Sequence, residues 1–331
     1  MLRINSDKTM TDEFYEEVAM LLNENVLNAE FNASAVIEEI AFVETVGAGE
    51  HAYVYSDFDT DADTILAYDT VNDTITMVKR NPVDDTEISF YPVNSKDEYV
   101  TLQKVINTPD LKIFARKRNR ILEAMNKWEL YYAIAAIAAG TNKPSSVSMQ
   151  ALTLVSAEDL YDHMLRAWQT LRLRGDDFVM LAGTDVINKM ESYEKDLAAT
   201  NNYEVSIKKF LDSKRIKVIE VAEKLDMGSG SVNILAVDKF ILLARKSSID
   251  GSGKPIAFVR REIPATIAAD AGAEVTAQQR LILIDKAPIR ITVSGSVVPS
   301  LGYGIYAFAE VAIAIINPYS IVTSASLAAI L

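Results

Sequence analysis

The sequence predicts an α+β fold with several structural units. Short strand-like runs fill residues 41–105, one helical pattern continues from residue 109 to residue 139, and residues 151–255 alternate between helices and strands before strands return. The chain has 331 residues, which exceeds the usual size of a single compact core. We therefore expect two domains, or one domain with long excursions.

The first 40 residues are predicted to form an arm. Thr11 can cap a helix that has Asp12 and Glu13 in its first turn, because a side-chain oxygen and negative charge both favour a helix N-terminus. Apolar residues then recur at helical spacing as far as Leu22. This short amphipathic helix would stand at the head of the arm.

A β-hairpin is predicted within the strand-rich segment that follows. The run TILAYDTVNDTITMVKR has two β-like halves and turns at Val71, Asn72 and Asp73. Its apolar positions are sparse, and a two-stranded ribbon is marginal in water unless another surface covers it. We expect a second copy of the chain to supply that surface. The candidate contact residues between copies are Ile65, Ala67, Ile75, Met77 and Lys79.

An acidic segment precedes the hairpin. Asp57, Asp59, Asp61 and Asp63 occur at every second position of SDFDTDADT. The pattern resembles the beginning of a calcium-binding loop, but the glycine and the closing glutamate that such loops need are missing. The favoured interpretation is a solvated acidic loop.

One long helix is predicted after the strands. Thr108, Pro109 and Asp110 provide a cap, a proline at the first helical position and an acid near the positive end of the dipole, and Gly140 provides the stop. Such a helix would span about 46 Å, so it is expected to lie across a broad, flat body. Its first half is rich in basic residues, which are Lys112, Arg116, Lys117, Arg118 and Arg120.

The basic half of this helix has two interpretations. One is a solvated helix face, which is common for charge runs. The other is contact with nucleic acid, with an acidic scaffolding segment or with the carboxylates of a neighbouring copy. The net charge of −13 argues against a protein whose whole surface grips nucleic acid, and aromatic interleaving of the kind that stacks bases is missing.

Residues 151–255 are predicted to form a mixed α/β module. Ser156 is expected to cap a helix with Glu158 and Asp159 in its first turn. The strand FVMLAG, a helix opening at Thr184, the short helix SIKKFLDS, the strand IKVIEVAEKL and a strand pair in VNILAVDKFILLARKS follow. Strands then return to about residue 322, interrupted by a predicted loop at PATIAADAGAEVTAQQ.

Catalytic chemistry has little material in this chain. There is no cysteine, which excludes thiolate catalysis and sulfur-based zinc sites. His51 and His163 are the only histidines in the sequence. Gly47, Gly49 and Ala52 match the loosest form of the dinucleotide-binding fingerprint, but strand and acidic loop follow where a helix is needed. We predict no cofactor, no metal site, no enzymatic activity and no membrane partner.

The order of these parts resembles the HK97-like major capsid proteins of tailed phages. In that family an N-terminal arm precedes an extended hairpin called the E-loop, a long spine helix under the sheet of a peripheral domain, an axial α/β domain and a final return of the chain. RKRNRILEAMNKWELYYAIAAIAAG is similar to the spine helix, SAEDLYDHMLRAWQTLRLRGDDFVMLAGTDVINKM to the beginning of the axial domain, and FAEVAIAIINPYSIVTSASL to the closing strands. The implied boundaries are 1–40 for the arm, 41–107 for the E-loop and flanking peripheral strands, 108–150 for the spine helix and linker, 151–255 for the axial domain, and 256–331 for the return through both domains.

The resemblance implies a structural protein of the virion that is assembled in the host cytoplasm. Copies of the chain would form the hexamers and pentamers of an icosahedral shell, and the basic half of the helix becomes a candidate patch facing the shell interior. The implied partners are a separate scaffolding protein, a portal, decoration proteins, and packaged double-stranded DNA through non-specific contact. The alternatives are an encapsulin-like nanocompartment shell and another phage structural protein, such as a tube or sheath subunit.

Overall fold

The computed structural model of this chain describes most of its residues. They are residues 32–50, 52–54, 67–69, 74–76, 86–95, 98–101, 112–143, 148–200, 206–227, 230–246, 253–270, 273–293 and 296–330. The predicted helix near Thr11, the predicted contact residues Ile65, Met77 and Lys79, and His51 lie outside these ranges. Within the ranges the predicted α+β class is confirmed.

Helices and strands follow one another along the described chain. The helices are α1 (Ala33–Ile40), α2 (Lys112–Ala139), α3 (Leu160–Leu171), α4 (Thr184–Thr200), α5 (Ile207–Ser213) and α6 (Ala265–Asp270). The first strands are β1 (Ala41–Val46), β2 (Ala52–Val54), β3 (Ala67–Asp69), β4 (Thr74–Thr76), β5 (Thr86–Ile88), β6 (Tyr91–Asn94), β7 (Glu98–Thr101) and β8 (Gln150–Ala151). The later strands are β9 (Asp177–Ala182), β10 (Ile216–Glu220), β11 (Lys224–Asp226), β12 (Ser231–Asn233), β13 (Phe240–Arg245), β14 (Ile256–Arg261), β15 (Ala273–Val275), β16 (Leu281–Val293), β17 (Ser296–Ile315) and β18 (Ile321–Thr323).

The first sheet is built around β17, a strand of 20 residues. Its order is β1-β14-β17-β16-β15, with β1 parallel to β14 and the other neighbours antiparallel. Phe308 pairs with both Leu281 of β16 and Asn94 of β6, so β16 and β6 flank β17 on opposite sides. β7 pairs with β17 beside β6. Strands from both ends of the chain therefore meet in one sheet.

The second sheet has the order β10-β9-β13-β18-β8. β18, close to the C-terminus, is inserted between β13 and β8, so the returning chain completes this sheet. α3 packs on this sheet through a stripe of apolar residues at spacings of three and four, as expected for an amphipathic helix. The members of this stripe are Leu160, Met164, Ala167 and Leu171.

The main core lies between α2, the first sheet and one side of the second sheet. Every second residue of β17 from Tyr303 to Ile315 is buried in it, as the strand period of two requires. On α2, Phe114, Leu130 and Ile137 are fully buried, and each such side chain contributes about 1.5–3 kcal/mol through burial. The packing confirms that the long helix lies across a sheet.

The predicted end of the long helix is also confirmed. Gly140 has φ of 66°, a left-handed conformation that glycine adopts at little cost, and its N–H donates to the carbonyl of Ile137. α2 is described from Lys112 to Ala139, which is 28 residues. The predicted beginning at Pro109 lies outside the described residues.

Some predicted boundaries were wrong. α3 is capped by Asp159, whose side chain accepts a hydrogen bond from the N–H of Asp162, and not by Ser156. The run IKVIEVAEKL forms the separate strands β10 and β11, because the chain leaves the second sheet at Val221. The predicted loop PATIAADAGAEVTAQQ contains α6 and β15.

The last residues of the predicted arm are packed onto the body. Asn32 caps α1 by accepting from the N–H of Ala35, and Val36, Ile37 and Ile40 are buried in the main core. The Gly47–Gly49 segment forms a turn that leads into β2 and not into a helix, which is the wrong context for dinucleotide binding.

Candidate subunit interface

The excursion, residues 52–88, leaves the first sheet as an antiparallel pair of strands. β2 pairs with β5, with Ala52 opposite Ile88. Ile88 is buried against small side chains of the first sheet, among them Ala257 and Ala312. These side chains lie on the face of the sheet opposite α2, which we call the outer face. The base of the excursion is therefore fixed to the outer face.

The side chain of Arg261 also holds the base of the excursion on the outer face. The guanidinium of Arg261 lies 4.1 Å from the centroid of the Phe90 ring, and its Nη1 donates to Glu310 at 2.6 Å. Cation–π contact and ion pair together hold the chain where β5 continues into β6. We call this anchored end of the excursion, at Ile88 and Phe90, its foot.

The predicted hairpin forms farther out along the excursion. β3 and β4 are antiparallel, with Ala67 opposite Thr76 and Ile75 opposite Tyr68, and residues 70–73 connect them. Cross-strand partners share a face of the ribbon and successive residues alternate. In this register Ala67 and Ile75 are not cross-strand partners. That these residues contact a second copy remains a prediction.

Apolar side chains on the outer face form a second candidate surface, the aromatic patch. Leu281 pairs with Phe308 and Leu283 pairs with Tyr306 across β16 and β17, and all four side chains are partly exposed outside the buried cores. Tyr99 of the adjoining β7 is 44% exposed. We define the aromatic patch as these five residues.

Sequence analysis alone did not identify the aromatic patch. Its residues lie in runs that alternate or are apolar throughout, and such runs do not reveal which face of a sheet stays uncovered. A local signal does exist at Gly304, where a Cβ atom would lie 2.4 Å from the Tyr306 hydroxyl oxygen. The glycine lets the ring of Tyr306 lie flat over the strand.

The predicted basic residues of α2 differ in how far they are buried. Arg118 is buried, and its Nη2 donates to Oε1 of Glu274 at 3.0 Å, so it anchors the helix to β15. Arg116 and Arg120 are exposed, and Lys117 is partly exposed. Lys112 is the first described residue of the helix. Arg118 is thus a structural residue, and a role for the others as a patch remains a prediction.

A cavity of about 530 Å³ adjoins the exposed side of α2. Arg120, Glu123 and Trp128 line it from the helix, and the β11–β12 hairpin and β6 line the opposite walls. The Nζ of Lys127 lies 3.0 Å from Glu123 and 2.8 Å from Glu223. Burial disfavours the charged ammonium, but the hydrogen bonds that it donates to Glu223 and Glu123 outweigh this effect and raise the pKa of Lys127. At this end of the cavity one ammonium group therefore lies between two carboxylates.

A buried ion cluster joins α2 to the first sheet. Oε1 of Glu129 accepts from Arg280 at 2.6 Å and Oε2 accepts from Arg260 at 3.2 Å, while Arg280 also donates to Asn126 at 2.7 Å. Glu129 is fully buried and Arg280 is 1% exposed. Burial lowers the pKa of Arg280, and the charge of Glu129 opposes that effect. The cluster therefore fixes the position of α2 along the first sheet.

His163 is part of a second buried network. Its Nδ1 lies 3.1 Å from Oε2 of Glu158, which also accepts from Arg166 at 2.8 Å. Burial by itself would raise the pKa of Glu158. The hydrogen bond that its carboxylate accepts from Arg166 opposes this effect and helps to hold the pKa below its ordinary value. The ring packs edge-on against Phe240. This geometry gives His163 a structural role in attaching α3 to the second sheet.

Two other classes of site are absent from the described residues. In that part of the chain no three His, Asp or Glu side chains are grouped so that they could hold a metal ion. In the same ranges no helix is long and apolar enough to cross a membrane. The candidate functional surfaces are therefore the excursion, the aromatic patch and the exposed side of α2.

Comparison with known proteins identifies solved structures of similar fold. A phage-related protein from Bordetella bronchiseptica RB50 matches with a TM-score of 0.52 and 10% identity over 94% of this chain and 97% of that chain. The capsid of an empty GTA particle matches with a TM-score of 0.50 and 11% identity over 96% of this chain and 99% of that chain. No protein-family model matches the sequence, and no curated protein matches it.

Proposed function

We propose that this chain, which has the HK97-like fold of phage capsid proteins, is the major subunit of an icosahedral shell that encloses phage DNA. The observation that supports this most is the length of the similarity, since 96% of this chain matches 99% of a capsid subunit. A match over whole chains includes the excursion and the long helix, and these are the parts that a compact enzyme does not need. The role is structural, without catalysis.

The surfaces described above support the same proposal. The foot of the excursion and the aromatic patch occupy different parts of one outer face, so one copy can offer the excursion while the next offers the patch. Contacts between unlike surfaces generate rings when the rotation closes. We propose hexamers and pentamers as these rings, with the shell located in the virion and formed in the host cytoplasm. A scaffolding protein, a portal and decoration proteins are the proposed partners.

Electron microscopy of the purified full-length chain at high concentration tests the proposal. Closed, hollow particles with five-fold vertices are expected. Helical tubes would favour a tube or sheath subunit, and a monomer at every concentration would contradict the proposal. Particles that contain a protein cargo in place of DNA when isolated from cells would favour a nanocompartment.

A deletion tests the role of the excursion. Removing residues 60–85 should leave a folded, soluble subunit that fails to close shells, because the two-stranded ribbon that reaches the next copy is lost. Thermal unfolding of the dissociated subunit is the control, and it should match that of the intact chain. Normal shells from the deletion variant would refute the assigned role.

A further inference from the structure

We propose that a cluster of basic side chains at one end of the second sheet binds the phosphate backbone of nucleic acid. The cluster, which we call the cationic patch, consists of Arg172, Arg174, Lys214 and Arg215. The proposal rests on the proposed function and deepens it, because it names residues through which a shell subunit would contact the enclosed DNA. The patch is separate from the basic half of α2 that the sequence predicted.

Two turns, which directly follow α3 and α5, form the cationic patch side by side. The first turn leads into β9, where the N–H of Phe178 donates to the carbonyl oxygen of Arg215 at 3.3 Å. In the same turn the N–H of Asp176 donates to the carbonyl oxygen of Arg245 at 3.0 Å. A Cβ atom at Gly175 would lie 2.4 Å from that oxygen, so glycine lets the turn approach β13 this closely. The two turns therefore form one continuous surface.

The charges of the cationic patch are open to solvent. Three of its members are exposed, and Lys214 is partly exposed. None of the four forms an ion pair with another residue in the part of the chain that the structure describes. Residues 172–176 and 212–215 also contain Asp176 and Asp212, so two positive charges remain in excess. A local positive excess in a chain with a net charge of −13 is typical of a surface that meets phosphate.

Aromatic rings hold two of the cations in position. The Nζ of Lys214 lies 4.5 Å from the centroid of the Trp168 ring on α3, and the Cζ of Arg174 lies 5.0 Å from the centroid of the Tyr319 ring. Such contacts attract the cation to the ring face and leave its charge in place. A side chain that is already positioned loses less conformational freedom when it binds a ligand. The cationic patch is therefore prearranged for an anion.

Arg215 adopts a backbone conformation that is unfavourable for a residue with a side chain. Its φ is 54°, in the left-handed region, at a place after α5 where helices commonly have glycine. Glycine would adopt this conformation at less cost. The Arg215 side chain makes no hydrogen bond or ion pair within the described ranges. Its presence at a strained position therefore favours a role in contact with another molecule.

Helix stability offers an alternative explanation for these cations. Positive charge near a helix C-terminus is favourable, and Arg172 and Arg174 follow the end of α3. The same reasoning does not account for Arg215, because Lys214 already supplies a cation one residue nearer to α5. The experiment below therefore measures binding and stability separately.

Nucleic acid is the anionic polymer that the cationic patch fits best. Duplex DNA carries one negative charge for about every 1.7 Å of its axis, so cations on two adjoining turns can meet several phosphates at once. The counterions that these phosphates release provide the affinity. In a shell every copy would present the same patch, and individually weak contacts would add up.

Fluorescence anisotropy of a labelled DNA duplex of mixed sequence, titrated with the dissociated full-length subunit, tests the contact. Affinity is measured from about 25 to 200 mM sodium chloride, because the salt dependence reports the number of phosphates that the protein neutralises. The logarithm of the affinity should fall with the logarithm of the salt concentration with a slope of about −3 to −4, or about 0.9 for each member of the patch.

Arg215→Gly separates binding from folding. The substitution removes one cation and also relieves the left-handed backbone, so the subunit should be at least as stable to heat as the intact chain. The salt slope should become shallower by about 0.9. A cation that served only the stability of α5 would not change this slope.

A charge reversal and its matched control give a larger effect. Arg172→Glu with Arg215→Glu should weaken DNA binding at least about tenfold at about 100 mM salt. The control, Lys195→Glu with Lys239→Glu, makes the same change in net charge at exposed lysines beyond the other end of β9, where the N–H of Gly183 donates to the Lys239 carbonyl oxygen at 2.9 Å. It should weaken binding by less than about threefold, because a strand of six residues spans about 20 Å and the screening length is about 10 Å.

Three outcomes overturn the inference. One is a salt slope that Arg215→Gly leaves unchanged. Another is equal loss of affinity in the arginine reversal and the lysine control. The third is displacement of the labelled duplex by poly-glutamate as effectively as by unlabelled DNA, which would assign the cationic patch to an acidic polypeptide.

The binding assay does not depend on shell formation. Patch-dependent DNA binding by a chain that never forms shells would leave the inference standing and refute the proposed function. Closed shells from a chain whose DNA binding is insensitive to Arg215→Gly would refute the inference alone.

Discussion

At Glu129 one buried carboxylate forms ion pairs with two buried guanidinium groups, those of Arg260 and Arg280. Such a cluster is weak evidence for net stabilisation, because removing three charges from water is costly. Its consequence is positional: the carboxylate is on α2, one guanidinium is on β14, and the other follows β15. Sliding the helix along the sheet would leave a buried charge without a partner.

The first prediction concerns this cluster. Glu129→Gln should destabilise the dissociated subunit by about 3 kcal/mol, because it removes the negative charge and leaves both arginines buried. Urea unfolding at neutral pH measures the effect. Glu123→Gln on the exposed side of the same helix is the control and should change stability by less than about 0.5 kcal/mol. Equal effects of the two substitutions would show that the cluster does not fix the helix.

The element that joins the two sheets at the N-terminal side is α1. Glu39 at its end accepts from Lys217 of β10 at 2.8 Å and from Arg245 of β13 at 2.9 Å. The hydrogen bond from Lys217, supported by that from Arg245, holds the pKa of Glu39 below its ordinary value of 4.5. α1 is thereby tied to the second sheet while its apolar side is buried in the main core.

A pH dependence follows for this element. The folded state lowers the pKa of Glu39 below its ordinary value of 4.5. The contribution of Glu39 to the free energy of unfolding is therefore fully present above pH 4.5, and it is lost as the pH falls through the lower pKa of the folded protein. Glu39→Gln should cost roughly 1 kcal/mol at pH 7 and flatten the loss of stability below pH 4.5. Thermal unfolding of the dissociated subunit from pH 7 to pH 3 measures both. Glu38→Gln, at the exposed neighbouring carboxylate, should reproduce the acid limb of the intact chain.

Elements with strong local signals could be predicted from the sequence. α2 was recognised because its apolar stripe, basic first half and terminal Gly140 agree with one another, and the β3–β4 hairpin because a turn separates two β-like runs. The cap of α3 was misplaced since Ser156, Glu158 and Asp159 all have capping chemistry. In the structure Glu158 binds His163 and Arg166, and Asp159 is the residue that accepts from the N–H of Asp162.

The surfaces of the whole molecule were harder to predict than its elements. Which face of β16 and β17 stays uncovered depends on α2 occupying the opposite face, a contact between parts more than 140 residues apart in sequence. The predicted basic residues illustrate the same limit, because Arg118 and Arg116 are two positions apart yet one is buried and the other exposed. Periodicity places residues on a helix face, but only packing decides which face meets solvent.

At the scale of the whole molecule, the account holds that copies of this chain bury surfaces that a single copy leaves open. Partly exposed apolar side chains on the outer face are costly in water and become favourable when a second copy covers them. The excursion that stands on the same face is the part of the chain proposed to reach the next copy.

Hydroxyl-radical footprinting of Tyr99, Tyr306 and Phe308 tests this claim most directly, because the rate of side-chain oxidation reports access to water. Ala309, which is buried in the main core, serves as the internal control. The account predicts that the three aromatic rings are oxidised at least about fivefold more slowly in assembled particles than in dissociated subunits. Equal rates in the two states would contradict it.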